Sequence, residues 1–360
     1  MHTVVAQRIH AFVKLGESLR RIADVLSEEN HPEVLSVGER HLFDVSLKSE
    51  QLNPWFARRE IARTFRALAF MLGKDALHEW VGRYPAFSKG LPREKKVAVI
   101  MAGNIPLVGF HDFLCVVLSG HGFTGKLSSQ DSLLPPALSE LLVSYLPALQ
   151  SRIRFTNNDV AEADAIIATG SDNTARYFEY RYADKPCIIR KNRNSAAVIT
   201  GRETMEQLQS LGEDVFAYYG RGCRSVSLMM LPASYDIQRL KQAWSTCSHV
   251  LMNKKYRNNL RYNRAFFNAA GRPFHDLPGC LLVNDGRPDS PVSVLHASQY
   301  KDIAEAEARL HLMQSSLQCV VCAEDINAGE VPVCKPGQAQ YPRASDYADG
   351  TDTMLFLSGL

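Results

Sequence analysis

The sequence contains no long apolar run. None of its apolar stretches reaches the ~18–20 residues that a membrane-spanning helix requires. The first residues, MHTVVAQRIHAF, carry arginine and histidine where a secretory signal would be apolar. Internal repeats and low-complexity segments are also absent. We therefore expect a soluble, cytoplasmic protein without a membrane span.

A large excess of one charge is missing as well. The 41 basic and 38 acidic residues leave a net charge of +3. Two short basic clusters, KNRN (191–194) and NKKYRNNLRYNR (253–264), are interpreted as solvated helix faces. This composition does not favour a nucleic-acid partner.

Cysteine is too sparse for a disulfide-rich protein, and histidine is too dispersed for a metal-binding motif. Eight cysteines in 360 residues do not make a disulfide-dense scaffold. The eleven histidines form no HExxH or HxH motif, so we expect no metal site. In a reducing compartment an isolated cysteine is either packed in the core or a nucleophile.

The sequence does contain two distinct rhythms. The first 88 residues carry apolar side chains at helical spacing. From residue 96 short apolar runs alternate with helical segments, which is typical of a parallel sheet with helices on its faces. The loops AGNIP (102–106), KLSS (126–129) and TGS (169–171) follow such runs. Since ligands bind beyond the carboxyl ends of parallel strands, these loops indicate a site.

A second α/β segment follows residue 200. A predicted helix at 203–219 leads to the loop GRGC (220–223) and then to a strand at 225–232. Another helix and strand follow at 302–325. The tail at 346–360 is predicted to end in a strand-like run.

Two glycine-rich motifs are incomplete phosphate-binding patterns. GHGFTGKL (120–127) contains GxxxxGK, but Leu127 stands where a magnesium-binding hydroxyl is needed, and a helix leads into it. GRGCRS (220–225) is a truncated GxGxxG that follows a helix and opens a strand, which inverts the required order. Neither favours a phosphate loop, although Lys126 at a strand end could still bind a ribose or phosphate.

The cysteines differ in their surroundings. Gly220 and Gly222 free the backbone around Cys223, and a neighbouring cation, Arg221 or Arg224, is expected to lower its pKa. From the residues alone, Cys223 is either a structural cysteine or a nucleophile. The CVVC segment (319–322) is interpreted as buried core, and Cys115 and Cys187 in apolar runs likewise.

Several of these segments together resemble one superfamily. GNIPLVGFHDF (103–113), GFTGKLSSQDSLLP (122–135) and ATGSDNTARY (168–177) resemble the Asn-Phe-Pro loop, the Lys-Pro-Ser-Glu strand end and the Phe-Thr-Gly-Ser turn of aldehyde dehydrogenases. YYGRGCRSVS (218–227) stands where those enzymes carry the catalytic cysteine. With the ending DYADGTDTMLFL (346–357), the sequence is most similar to the LuxC-type acyl-CoA reductases.

The resemblance implies an α/β, aldehyde dehydrogenase-like fold in four regions. These are an N-terminal helical region (1–94) packing on the cofactor domain, a Rossmann-like NADPH-binding domain (95–200), a catalytic domain with the cysteine loop (201–335), and a C-terminal return or oligomerisation segment (336–360). It also implies a homo-oligomer.

The resemblance further implies roles for individual residues. Cys223 would be the nucleophile that forms a thioester, and Asn104 with the backbone N–H of Cys223 would supply the oxyanion hole. The implied cofactor-binding residues are Lys126, Ser128, Ser129, Thr169, Gly170 and Ser171. Of these, Lys126 would contact the adenosine ribose.

Three departures from the superfamily pattern are informative. The segment that matches the water-activating Glu has Lys191 near that place and no carboxylate, which favours reduction of an acyl group over hydrolysis of the acyl-enzyme. Ser129 replaces the acid that binds the ribose 2′-hydroxyl, which favours NADPH over NADH. The usual nicotinamide-ribose contact falls near GRPDSP (286–291), where no equivalent is found.

These observations predict an enzyme that reduces a fatty acyl-CoA or an acyl-carrier protein thioester to a fatty aldehyde with NADPH. Two alternatives stay open. The substrate could be another activated acyl group, such as an acyl phosphate of the γ-glutamyl phosphate type, or the chain could be a non-catalytic nucleotide-binding subunit with an inert Cys223.

Overall fold

The structure is a computed structural model that describes residues 3–89, 93–170 and 172–360. The chain divides into two compact units. The first unit comprises Met1–Asn192 and Tyr341–Leu360, and the second comprises Arg193–Gln340. Each unit is built around one sheet.

The first unit begins with helices, as the apolar spacing of the first 88 residues predicts. Their bounds are α1 (Thr3–Leu26), α2 (Val37–Leu52), α3 (Arg58–Met71), α4 (Lys74–Gly82) and α5 (Pro85–Lys89). A capping box of Ser36 and Glu39 begins α2, because each residue satisfies a backbone N–H group of the other.

The sheet of the first unit has five parallel strands in the order β3-β2-β1-β4-β5. The strands are β1 (Lys96–Ile100), β2 (Gly122–Lys126), β3 (Ile153–Thr156), β4 (Ala165–Thr169) and β5 (Cys187–Arg190). The helices α6 (Phe110–Ser119), α7 (Leu134–Tyr145) and α8 (Asp172–Arg181) connect them. This alternation confirms the predicted parallel sheet.

One apolar core joins the N-terminal helices to a face of this sheet. The ring of Phe12 in α1 meets that of Phe113 in α6 edge-on at 6.1 Å, and Phe113 meets Phe123 of β2 at 4.9 Å. All three rings are buried. Burial of this apolar surface stabilises the packing of the helices on the sheet, by roughly 25 cal/mol per Å².

The second unit has seven strands in the order β12-β11-β6-β7-β10-β9-β8, and only its β8–β9 pair is antiparallel among the strands described. Its strands are β6 (Asn194–Val198), β7 (Val226–Pro232), β8 (Phe274–Leu277), β9 (Cys280–Asn284), β10 (Val294–Tyr300), β11 (Leu317–Cys322) and β12 (Val333–Cys334). Its helices are α9 (Met205–Phe216), α10 (Gln238–Ala243), α11 (Lys254–Ala269) and α12 (Ile303–Met313).

The tail returns to the first unit and ends in a helix, so the predicted strand-like run is wrong. Helix α13 spans Thr353–Ser358, and the Asp352 side chain caps it by accepting a 2.8 Å hydrogen bond from the Leu355 N–H. Thr353, Met354 and Leu357 are buried. That spacing is helical, and the capping Asp overrides the β-prone composition of the segment.

Membrane-spanning helices and groups of side chains that could bind a metal ion are both missing from the described residues. None of the described helices combines the length and the apolar composition that a membrane span requires. Within the same residues, no group of three His, Cys, Asp or Glu side chains could hold a metal ion.

Candidate active site

The strand order of the first unit creates a switch point between β1 and β4. The chain proceeds from β1 to β2 and β3 on one side, and then to β4 and β5 on the other. Ile100, the last residue of β1, pairs in register with Lys126 of β2 and Ala168 of β4. Ligands of open parallel sheets bind outside the carboxyl ends of the strands at such a point.

Asn104 lies in the loop that follows β1 at this edge, and its side chain is partly buried. The same loop is packed tightly against the loop after β2. A Cβ atom on Gly103 would lie 2.7 Å from the Cβ of Ser128, so only glycine fits there.

Asp131 holds the Asn104 loop in place. Its carboxylate accepts a 2.7 Å hydrogen bond from the N–H of Leu107, which has a left-handed φ of 54°. That conformation is costly for a non-glycine residue and requires support from its surroundings. Burial raises the pKa of Asp131 to about 7. The sequence analysis did not predict a role for Asp131. The signal in the sequence was an acid three residues before the apolar helix α7.

Lys126 is the last residue of β2, and Gly120 ends α6 in a left-handed conformation. The GxxxxGK segment therefore runs from a helix end through a strand, which confirms that it is not a phosphate loop. Phe123 and Gly125 are buried and Thr124 and Lys126 are not, so Lys126 belongs to the more open face of β2. Among the described residues, its ammonium group has no hydrogen-bonding partner.

The two serines after β2 differ in exposure. Ser128 is partly buried, and its hydroxyl accepts a 3.2 Å hydrogen bond from the N–H of Gln130. Ser129 is exposed. Both follow Lys126 at the carboxyl edge of the sheet, beside the loop that carries Asn104.

Thr169 ends β4, and the N–H of Gly170 donates a 3.1 Å hydrogen bond to the carbonyl of Arg190. A Cβ atom on Gly170 would lie 2.9 Å from the Cβ of Thr174, so the absence of a side chain lets α8 approach the strand end. Ser171 lies outside the described residues. Asn104, Lys126, Ser128, Ser129, Thr169 and Gly170 thus share one edge of the first unit's sheet.

Arg190 anchors this edge from within the core. Its guanidinium donates two hydrogen bonds, of 2.6 and 2.7 Å, to the Asp112 carboxylate of α6, and a third, of 2.7 Å, to the Thr353 hydroxyl of α13. All three side chains are buried. Because buried charges are stable only when they are paired, this network ties the tail and α6 to the strand that supports Gly170.

Lys191 forms an ion pair that its sequence context did not predict. Its Nζ lies 3.3 Å from a carboxylate oxygen of Glu179 in α8. The segment around Lys191 has no acid of its own, and the carboxylate that pairs with Lys191 comes from α8. Both side chains are largely exposed and belong to the first unit.

Cys223 lies in the second unit, between a strained turn and the start of β7. Tyr218 and Tyr219 have left-handed φ angles of 52° and 60°, and Gly220 follows with 73°. Helix α9 precedes this turn and a strand follows it, which confirms the inverted context of the GRGCRS motif. Strained backbone of this kind is concentrated at functional sites.

The backbone of Cys223 is fixed from β6. The Ser195 hydroxyl donates a 2.8 Å hydrogen bond to the Cys223 carbonyl, and its oxygen lies 3.2 Å from the sulfur of Cys319. Ser195 and Cys319 are partners in the β6–β11 register and have no exposed surface. The sequence signal for Ser195 was a hydroxyl residue inside an apolar strand.

The thiols of this region are electrostatically distinct. Burial raises the pKa of Cys223, and the neighbouring Arg224 cation opposes this only in part. The expected lowering of the Cys223 pKa is therefore wrong. A hydrogen bond from Cys334, together with Arg224 and Ser195, lowers the pKa of Cys319. Cys319 is buried as predicted, but in a polar cluster, whereas Cys322 packs in the apolar core.

The sequence model of one family, described as acyl-CoA reductase (LuxC), matches residues 6–246. The chain belongs to the LuxC acyl-CoA reductase family. It is therefore an oxidoreductase of aldehyde-related acyl chemistry, as the loop motifs predicted. No curated protein sequence matches the chain.

Solved structures show the same fold for this LuxC-family chain. Aldehyde dehydrogenase 21 from Physcomitrella patens, in complex with the reaction product succinate, superimposes with a TM-score of 0.62 at 12% identity, covering 99% of this chain and 87% of that one. The NAD+ complex of aldehyde dehydrogenase from Bacillus cereus gives 0.57 at 12% identity, covering 90% and 76%. A 1-pyrroline-5-carboxylate dehydrogenase variant from Thermus thermophilus gives 0.56 at 12% identity, covering 96% and 80%. The aldehyde dehydrogenase-like fold is thus confirmed.

Proposed function

We propose that this chain reduces a fatty acyl thioester, carried on CoA or on a protein, to a fatty aldehyde with NADPH, through a thioester on Cys223. The observation that carries the proposal is the placement of Cys223. It follows three consecutive left-handed residues, its carbonyl is held by Ser195, and the chain belongs to an acyl-CoA reductase family.

The covalent step begins with loss of the Cys223 proton. The sulfur attacks the acyl carbonyl carbon, the carbon–sulfur bond to the carrier breaks, and the carrier thiol leaves with a proton. The burial that raises the pKa of Cys223 makes the thiolate less abundant at neutral pH.

The first unit offers the residues that would hold the cofactor. Lys126, at the carboxyl end of β2, suits a ribose or phosphate, and the close approach at Gly170 suits a pyrophosphate. Ser128, Ser129, Thr169 and Ser171 complete the proposed set, and the lack of an acid at Ser129 favours a 2′-phosphate. The Bacillus cereus relative of this fold is a complex with NAD+. When bound, NADPH would supply hydride to the thioester carbon.

Two roles remain for the protein around the reacting carbonyl. We propose that the Asn104 amide and the Cys223 N–H donate to the developing oxyanion. Collapse of the hemithioacetal then restores the Cys223 sulfur and releases the aldehyde. Since the segment around Lys191 carries no acid in the position of the water-activating Glu, we propose that hydrolysis of the thioester is slow.

The test is oxidation of NADPH measured against acyl-CoAs of short to long chain, an acyl phosphate, and no substrate. We expect aldehyde formation from long-chain acyl-CoA with NADPH, a slower rate with NADH, and no activity in Cys223→Ala. Activity on the acyl phosphate alone would transfer the proposal to that substrate class, and wild-type activity in Cys223→Ala would contradict the mechanism.

A further inference from the structure

One part of the second unit carries a local excess of positive charge. Residues 237–275 contain eight Lys and Arg and no Asp or Glu. The rest of the chain has 33 basic and 38 acidic residues, so its net charge is negative although the whole chain is at +3. Helix α11 forms the centre of this acid-free segment and carries five of its cations.

Helix α11 presents two opposite faces. Its buried side chains are Tyr256, Leu260, Asn263 and Phe267, at helical spacing. The opposite face is exposed and carries what we name the α11 surface, formed by Lys254, Lys255, Arg261, Tyr262 and Phe266. Tyr262 and Phe266 are 69% and 54% exposed, and their rings lie nearly parallel, with centroids 6.4 Å apart.

Two of the cations are in an unfavourable position for the isolated helix. Lys254 and Lys255 occupy the first turn of α11, which has no acidic residue. Positive side chains at a helix N-terminus oppose the helix dipole and destabilise the helix. Local rules of this kind are broken mainly at functional sites. An acidic partner would relieve the repulsion.

The buried face of α11 connects the surface to the nucleophile turn. The ring of Tyr256 packs on that of Tyr219, with centroids 5.7 Å apart. Tyr219 belongs to the left-handed turn that precedes Cys223. The Tyr256 hydroxyl also donates a 2.9 Å hydrogen bond to the Gly279 carbonyl, which fixes the first turn of α11 on this side.

We propose that the α11 surface docks an acidic protein that presents the acyl group as a thioester. This inference rests on the proposed function, because it names the carrier of the same substrate. A pair of exposed aromatic rings edged by Lys and Arg has the anatomy of a protein interface, with an apolar centre and a charged rim. The negative charge of the partner provides the complementarity and accelerates the encounter.

Nucleic acid and membrane fit the same surface less well. Binding of single-stranded nucleic acid needs a positively charged groove that follows the backbone over several nucleotides, whereas the α11 surface is one helix face with three cations. A membrane-bound helix needs an apolar face along its length. The apolar face of α11 is instead buried in the second unit.

The test compares the triple variant Lys254→Glu/Lys255→Glu/Arg261→Glu with wild type. The probe is an acidic acyl carrier protein, labelled for fluorescence anisotropy and also loaded with a long acyl chain as substrate. We expect the variant to bind the carrier more weakly, on the order of tenfold, and to lose the same factor in kcat/KM for the acyl carrier. The kcat/KM for the matched acyl-CoA should stay unchanged.

A control variant separates this effect from net charge. The control replaces three exposed lysines outside α11, as Lys14→Glu/Lys48→Glu/Lys301→Glu. It changes the net charge by the same amount as the triple variant, and it should bind the carrier like wild type. Folding of the triple variant is checked by thermal unfolding. Because Glu suits a helix N-terminus, no loss of stability is expected from the first two substitutions.

Four results would overturn the docking proposal. They are no carrier binding by wild type, an equal loss for acyl-CoA, an equal effect of the control variant, or binding of an oligonucleotide or of phosphatidylglycerol vesicles that the triple variant abolishes. Absence of aldehyde from both substrates in wild type would instead contradict the proposed function. The anisotropy measurement still decides the docking in that case.

Discussion

The Ser195 hydroxyl and the Cys223 carbonyl are joined by a 2.8 Å hydrogen bond within the second unit. The bond connects β6 to the loop that precedes β7, 28 positions later. It holds the cysteine after a turn in which three successive residues are left-handed. The backbone position of Cys223 is thus fixed by a side chain of β6, in addition to the conformation of the glycine-containing loop.

The turn itself can be tested at Gly220. Gly220→Ala should destabilise the protein by roughly 1 kcal/mol, because φ is 73° there and only glycine adopts this conformation without cost. Gly286→Ala is the matched control, since its Cβ would meet nothing within 4 Å and its φ is not left-handed. Urea unfolding of both variants checks the prediction. Equal midpoints would contradict it.

The buried network of the first unit predicts a larger effect. Arg190→Met should cost about 3–5 kcal/mol of unfolding free energy, because it leaves Asp112 buried without its partner. Arg181→Met removes an exposed pair with Asp159 and should change stability little. Chemical denaturation distinguishes the two variants. A small effect at Arg190 would show that water replaces the guanidinium.

Asp131 predicts a pH dependence of stability. Its pKa is raised to about 7 in the folded state from an ordinary value of 3.8, so the folded protein binds a proton that the unfolded chain releases. The contribution of Asp131 to the free energy of unfolding is therefore full below about pH 4 and is lost as the pH rises through 7. Between these pH values, the free energy of unfolding should fall more steeply for wild type than for Asp131→Asn. The difference is a few kcal/mol at most, on the order of 1.4 kcal/mol per pKa unit. Parallel curves would contradict the assignment.

Cys223 predicts a second pH dependence, in reactivity. Because burial raises its pKa, its alkylation rate should still increase at a pH where the rate for a free thiol such as glutathione has levelled off. Peptide mass spectrometry isolates Cys223 from the seven other thiols. A plateau at or below the pH of the free thiol would show that Arg224 outweighs burial.

Local patterns predicted much of this molecule. Helical spacing identified the N-terminal helices, and the alternation of runs identified the strands and the loops at their carboxyl ends. The tail was predicted wrongly, because TMLFL has the composition of a strand whereas the Asp352 cap and the packing of Met354 and Leu357 make it a helix.

The buried hydrogen-bond networks could not be predicted, because they join residues that are distant in the chain. Arg190 meets Asp112 across 78 positions and Thr353 across 163, and Ser195 meets Cys319 across 124. The periodicity of apolar residues along the sequence cannot predict contacts between residues so far apart. The pKa of Cys223 was also misjudged, since adjacent arginines are visible in the sequence but the burial that outweighs them is not.

The central claim is that Cys223 carries the acyl group. The most direct test is intact-protein mass spectrometry after mixing the enzyme with long-chain acyl-CoA in the absence of NADPH. The proposed mechanism predicts one added acyl group, localised to Cys223 by peptide mapping, absent in Cys223→Ala, and removed when NADPH is added with release of aldehyde. An acyl group on another residue, or an equal adduct in Cys223→Ala, would contradict it.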